Sequence, residues 1–114
     1  IIGNADAHGK NLAFLLEPNC TVRLAPLYDT VPTVLWPQLR SDAAMTLGGA
    51  ASFDAMNSAA VAREARSWRH SPMSAVGAAR RCAERLIDAV ELELVDPQGA
   101  LARRVMTTAP RYLE

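Results

Sequence analysis

Several things are scarce in this chain, and each scarcity excludes something. Only two cysteines, Cys20 and Cys82, occur in 114 residues. Two thiols make no disulfide framework, so a cytoplasmic setting is expected and both are expected as small buried residues. No apolar run approaches the ~18 residues of a membrane span. No basic segment leads into an apolar stretch as a secretory leader does, so none is expected. Aromatic residues make up 5% of the chain and do not alternate with basic ones. Trp36 and Trp68 are therefore expected as core anchors and not as base-stacking platforms. An excess of one charge is also missing, because 12 basic residues balance 12 acidic ones. No global field then draws nucleic acid or an anionic membrane. Lysine is almost absent: Lys10 is the only one, and the other eleven basic residues are Arg.

Half the residues are hydrophobic, enough for one modest core. The composition changes near residue 50. The first 50 residues hold four of seven Pro and four of six Gly, and the remainder is rich in Ala and Arg. The first part reads as loop and short strands. Asn11–Glu17 and Thr21–Ala25 flank Pro18-Asn19, which predicts a hairpin. Pro32 and Pro37 keep residues 30–40 irregular. Met45–Gly49 reads as extended and ends in a Gly turn. The second part reads as helices. Ser52 caps the first, with Phe53, Met56, Ala60, Ala65 and Trp68 at helical spacing. Ser71-Pro72 starts a long helix to about Val95, with Met73, Val76, Ala79, Ala83, Leu86, Val90 and Leu94 as its buried stripe. Asp96-Pro97 starts a last one through Leu101, Val105 and Met106. Arg80, Arg81 and Arg85 come early in the long helix and Asp88, Glu91 and Glu93 late. That order opposes the macrodipole and suggests partners elsewhere.

The most polar stretch is the first, IIGNADAHGKN. Asp6 and Asn11 lie five apart on one tight loop, and Asp29 lies just past the hairpin. A hairpin folds back on itself, so its far end at Asp29 can return to its near end at Asn11. That would gather two carboxylates and one amide oxygen at one spot. Mg²⁺ takes hard oxygen ligands, often one or two carboxylates completed by phosphates and waters. A second Asp held off the metal can take the proton of an attacking hydroxyl. The spacing D-x-x-x-x-N with a downstream Asp is the catalytic-loop pattern of protein kinases. By itself the five-residue spacing occurs readily by chance; the flanking residues and the Asp after a hairpin make it specific.

These residues carry a family resemblance. IIGNADAHGKNLAF, then LAPLYDTVPTVLWP, then AAMTLGG, resemble the C-terminal lobe of the HipA-like serine/threonine kinases, the toxins of bacterial toxin–antitoxin modules. The resemblance implies a mainly α fold with a small β-hairpin, the helical lobe of a protein-kinase-like fold, over residues 1–114. Residues 1–50 would form the catalytic loop, hairpin and metal-binding segment, and residues 51–114 the helical bundle. It implies Asp6 as catalytic aspartate, with Asn11 and Asp29 as magnesium ligands that also hold ATP. Thr30-Val31 follows Asp29 where ordinary kinases have Phe-Gly. An ordinary kinase loop carries Lys two residues after its aspartate; here His8 has that place and Lys10 sits four after, and the resemblance leaves both as candidates to meet the phosphate. The implied partners are a protein substrate and a DNA-binding antitoxin, with DNA reached only through the antitoxin.

Other readings stand beside this one. Asp, Asn and Gly also favour plain turns. Asp6-Ala7-His8 matches the opening of metallophosphoesterases, but the further Asp, Asn and His blocks of that class are missing. His8 can be a loop imidazole bonded to backbone, and His70 a helix-end surface residue. Arg63, Arg66 and Arg69 form a stripe read as a solvated face paired with Glu64, Glu84, Asp88 and Glu91. Thr30, Thr33 and Ser41 lie where a kinase activation segment would be. The rival to a kinase is a non-catalytic relic or interaction module that docks an antitoxin.

A kinase also needs a nucleotide lobe with a phosphate-covering loop and a strand lysine. Neither is present, and the sequence opens on Ile, so a longer reading frame is expected to supply that lobe. A purified 1–114 chain is accordingly expected to turn over no ATP. Robust turnover by that chain in a phosphate-release assay would refute this.

Overall fold

The helical half is built on alanine. In the computed structural model, which describes residues 1–114, the main core cluster contains Ala50, Ala60, Ala83, Ala102 and Ala109 with Met56, Val90, Val105 and Tyr112. Ala60, Ala83 and Ala109 are wholly buried, and no large side chain is. Small residues at the contacts let helices approach closely, and the larger side chains fill in from the sides. Burial pushes the Tyr112 phenol above its ordinary pKa, so it stays neutral in the core.

Three helices form this half: α1 (Ser58–Ser67), α2 (Pro72–Glu91) and α3 (Ala100–Thr108). A final 3₁₀ turn, Ala109–Tyr112, packs against α2 and α3. One β-hairpin, β1 (Phe14–Leu16) and β2 (Val22–Leu24), is antiparallel with Leu15 opposite Arg23. The architecture is mainly α with a small β-hairpin, as the sequence implies.

The helix boundaries differ from the sequence reading in three places. Ser52 caps only a 3₁₀ turn, Phe53–Ala55, because Asn57 caps α1 by accepting from the Ala60 N–H at 3.0 Å. The long helix stops at Glu91 instead of near Val95. Glu93 adopts φ +54°, and the Leu94 and Glu93 N–H groups close on the Ala89 and Val90 carbonyls. That pattern is a Schellman stop, usually marked by glycine. α1 ends the same way on Arg69, φ +55°. Without glycine the stops leave no mark in the sequence. The last helix begins after Gly99, because Asp96 first makes a local turn with the Gln98 and Gly99 N–H groups.

Burial corrects the predicted core. Met73 and Leu94, at the two ends of the long stripe, are 84% and 73% exposed. Trp68 and Trp36 are 72% and 43% exposed and anchor no core. Trp68 lies one residue beyond α1, past the last buried position, Ala65. Both cysteines are exposed and free. Cys20 sits at the hairpin tip, and Cys82 precedes buried Ala83 and so points away from the core.

The charged residues serve the fold only in places. Arg80 pairs with Glu84 at 3.7 Å and donates to the Leu113 carbonyl at 2.5 Å. Arg63 and Glu64, expected as solvated or mutually paired, grip one glycine instead. Arg63 Nε donates to the Gly48 carbonyl at 2.9 Å, and Glu64 accepts from the Gly48 N–H at 2.7 Å. Gly48 and Gly49 make a tight turn at φ +54° and +84°, closed by reciprocal 2.9 Å bonds between Leu47 and Ala50. A Cβ on Gly48 would lie 2.3 Å from the Ala60 carbonyl oxygen. Gly48→Ala is therefore expected to cost roughly 2 kcal/mol or more, read as a lowered urea midpoint. An unchanged midpoint would show that this clamp does not hold the turn to α1.

Candidate active site

The stem of the polar loop is held on both sides before the loop begins. The Ala5 carbonyl accepts from the Ala44 N–H at 2.9 Å, and the Gly3 carbonyl accepts from the Val34 N–H at 3.1 Å. The Ala5 N–H donates to Thr33 Oγ1 at 2.7 Å. Gly3 has φ +83°, and a Cβ there would lie 2.3 Å from Val34 Cγ2. Only glycine fits this approach. Further back, the buried Thr108 hydroxyl lies 2.8 Å from the Ile1 and Arg104 carbonyls, which fastens the chain's first residue to α3.

The hairpin closes the other side. Its ladder extends one pair beyond β1 and β2, with the Ala25 N–H donating to the Ala13 carbonyl at 2.8 Å. Residues 26–29 therefore leave the hairpin beside residue 11. Tyr28 then donates its hydroxyl proton to the Lys10 carbonyl at 2.6 Å. Asn11 Nδ2 donates to Asp29 Oδ2 at 3.0 Å. The amide and the carboxylate thus converge from 18 residues apart.

Asn4 completes the arrangement. Its Nδ2 donates to the Asp29 carbonyl at 2.7 Å, and its Oδ1 accepts from the Asp6 N–H at 3.1 Å. Asp29 itself stands at φ +58°, a left-handed conformation that costs about 1–2 kcal/mol for a residue with a Cβ. It is held there at both its carbonyl and its carboxylate. Asn4 carries this coupling and was missed as a site residue. Its signal was its position two residues before Asp6, in the same polar cluster.

The geometry divides the loop between two cavities. One, of about 270 Å³, is lined by Asn4, His8, Asn11, Tyr28, Asp29 and Thr30 among others. Asp6 does not line it. Asp6 lines a second cavity, also about 270 Å³, with Ala5, Thr33, Leu39, Arg40 and Ala44. The two share no lining residue. The two carboxylates expected around one spot thus line different cavities, Asp29 the first and Asp6 the second. The Asp6 N–H turns to Asn4 and the Ala7 N–H to the Asn4 carbonyl at 3.4 Å, so residues 4–7 form a tight turn that carries Asp6. His8 lines the Asn11–Asp29 cavity, and its buried Nδ1 has no hydrogen-bond partner. Lys10 lines neither cavity and is exposed. The largest cavity, about 530 Å³, lies between α1, α2 and the C-terminal residues and contains none of the loop's residues.

The donor set suits a hard cation in part. Asn11 Oδ1 accepts from the His8 N–H at 2.9 Å, which fixes the amide's orientation and leaves the second lone pair free. One Asp29 oxygen takes the Asn11 bond, and the carboxylate has further acceptor capacity. No group of three or more His, Cys, Asp or Glu side chains gathers anywhere in the chain. A divalent ion here would take its remaining ligands from phosphate and water, as Mg²⁺ commonly does.

Comparison with known proteins shows the family. A family model for the HipA-like C-terminal domain matches residues 1–96. The chain belongs to that family. Over 48 residues it is 46% identical to "Putative kinase Y4mE" of Sinorhizobium fredii, a match that covers 42% of this chain and 11% of that protein. Its fold is similar to that of Shewanella oneidensis HipA, solved in a toxin–antitoxin complex with HipB and operator DNA. There the TM-score is 0.68 at 23% identity, over 98% of this chain and 27% of that one. The HipA-like domain described here thus spans about a quarter of its solved relative.

The Thr33 bond is the support most open to test. Thr33→Ala would leave the N–H of Ala5, itself 5% exposed, without a partner, at a cost of about 1–3 kcal/mol. Thr33→Ser should recover most of it. Equal urea midpoints for wild type and Thr33→Ala would show that the bond does not support the loop.

Proposed function

We propose that this HipA-like domain is the catalytic lobe of a serine/threonine protein kinase that transfers phosphate from ATP to a protein hydroxyl, as the toxin of a toxin–antitoxin module. The observation that carries the reading is the convergence of Asn11 and Asp29 at 3.0 Å, on a loop that sets Asp6 in an adjoining cavity. Phosphoryl transfer asks a protein mainly to position groups and stabilise charge. Asn11 and Asp29 would hold Mg²⁺, which when bound supplies positive charge against the triphosphate. The Asn11 amide holds the Asp29 carboxylate in one orientation, so little reorganisation is needed. Asp6 orients the acceptor hydroxyl and takes its proton. His8, which lines the metal-side cavity, is better placed than Lys10 to meet phosphate.

The rest of the nucleotide site comes, in this proposal, from residues outside 1–114. The exposed apolar surface supports this: Leu12, Phe14, Leu16, Val22 and Leu24 are each at least half exposed. A patch of that kind is usually covered, and a lone two-stranded hairpin is marginal in water. An antitoxin partner, with DNA reached through it, is carried over from the arrangement in the Shewanella complex.

The test uses the complete gene product. Asp6→Ala and Asp29→Ala should each lower phosphoryl transfer by at least about 10²-fold, with far-UV circular dichroism unchanged. Wild-type-like transfer in either variant would sink the assignment and favour a module that only binds.

A further inference from the structure

We infer that the cavity beside Asp6 is the acceptor subsite and that Arg40 makes it select protein segments carrying an acidic side chain next to the phosphorylated Ser or Thr. This rests on the proposed kinase reading and extends it to the substrate. Asn11 and Asp29 face one cavity, Asp6 the other. If Asp6 takes the acceptor's proton, the acceptor must enter by the Asp6 cavity. In the transfer step the acceptor oxygen–phosphorus bond forms as the bond from phosphorus to the nucleoside diphosphate breaks. The hydroxyl proton passes to the Asp6 carboxylate.

The lining of that cavity sets what else the acceptor meets. Of its six residues, Ala5, Leu39 and Ala44 are apolar, and the Thr33 hydroxyl is held by the Ala5 N–H. Asp6 and Arg40 are the two charged ones. Arg40 is exposed and belongs to none of the chain's three ion pairs. It sits just past a turn closed by the Leu39 N–H on the Trp36 carbonyl at 2.9 Å. The nearby acidic residue Asp42 lines a different cavity, with Arg104. The Arg40 guanidinium is thus paired with no carboxylate, not even that of Asp6 on the same cavity, and a planar donor fork of this kind matches a carboxylate. A basic residue at the same point of an acceptor would be repelled. An acceptor rich in acidic residues would also be drawn toward Arg40 before contact, an effect that salt screens.

The experiment compares three synthetic serine peptides that differ only beside the serine, carrying Asp, Ala or Lys, with the complete gene product and ATP. The Asp peptide should exceed the Lys peptide in kcat/KM by about fivefold, the scale of one exposed charge pair. Arg40→Glu should reverse that order, Arg40→Lys should keep it in part, and 0.5 M salt should flatten it. Circular dichroism checks that the variants fold, as an exposed position allows. An equal loss on all three peptides in Arg40→Glu would overturn the inference and make Arg40 a general phosphate contact. No charge preference in the wild type, or protein phosphorylation without any peptide phosphorylation, would overturn it as well. Absence of all phosphoryl transfer, to peptide and protein alike, would instead overturn the kinase reading itself.

Discussion

The amide of Asn4 is the link on which the site depends. One side chain accepts from the Asp6 N–H and donates to the Asp29 carbonyl. It therefore joins two segments that are 25 residues apart. It is the direct bond between the backbone of the proposed base and the backbone of the proposed metal ligand. The same bond holds Asp29 in a left-handed conformation that an L-residue avoids. The Asn11 amide holds the carboxylate of the same residue. Strain at Asp29 is thus balanced by hydrogen bonds at both ends, as strained positions at functional sites require.

The helical half serves this link indirectly. Its alanine core lets α1, α2 and the C-terminal turn pack closely, and the first residues of the chain are fastened to that body by Thr108. Gly3 then passes between Val34 and Arg104 with no room for a Cβ. Gly48, gripped by Arg63 and Glu64, ties the segment after the loop to α1. The polar loop is therefore bracketed by packed structure on both flanks. The hairpin contributes differently. It buries little and exposes both faces, but its ladder sets the register that returns Asp29 to Asn11.

The half that holds the candidate site was the more legible in sequence. The D-x-x-x-x-N spacing, the Pro18-Asn19 turn and the later Asp29 predicted a return of the chain, and Asn11 and Asp29 do meet. These signals are local, and local signals survive in a single sequence. The helices were located but misjudged at their ends. Ser52 resembled a helix cap because it does cap a turn, while Asn57 does the longer work. Arg69 and Glu93 end helices in a conformation that glycine usually announces. The exposure of Trp36, Trp68, Met73 and both cysteines was not legible either. Side-chain character favours burial for each, but burial depends on whether another element lies opposite.

The sequence by itself determined the family, the mainly helical class, the hairpin and the residues proposed to carry the chemistry. Spacing and residue type suffice for these, because turns, caps and ladders are decided within a few residues. Only the tertiary structure decided which cavity each of those residues faces. Asp6 and Asn11 are neighbours on one loop, yet they line separate cavities: Asn4, Thr33 and Ala44 hold the backbone at Ala5 and Asp6, and Asp29 holds Asn11. Thr33, Ala44 and Asp29 come from distant segments, and their approach depends on the packing of the whole.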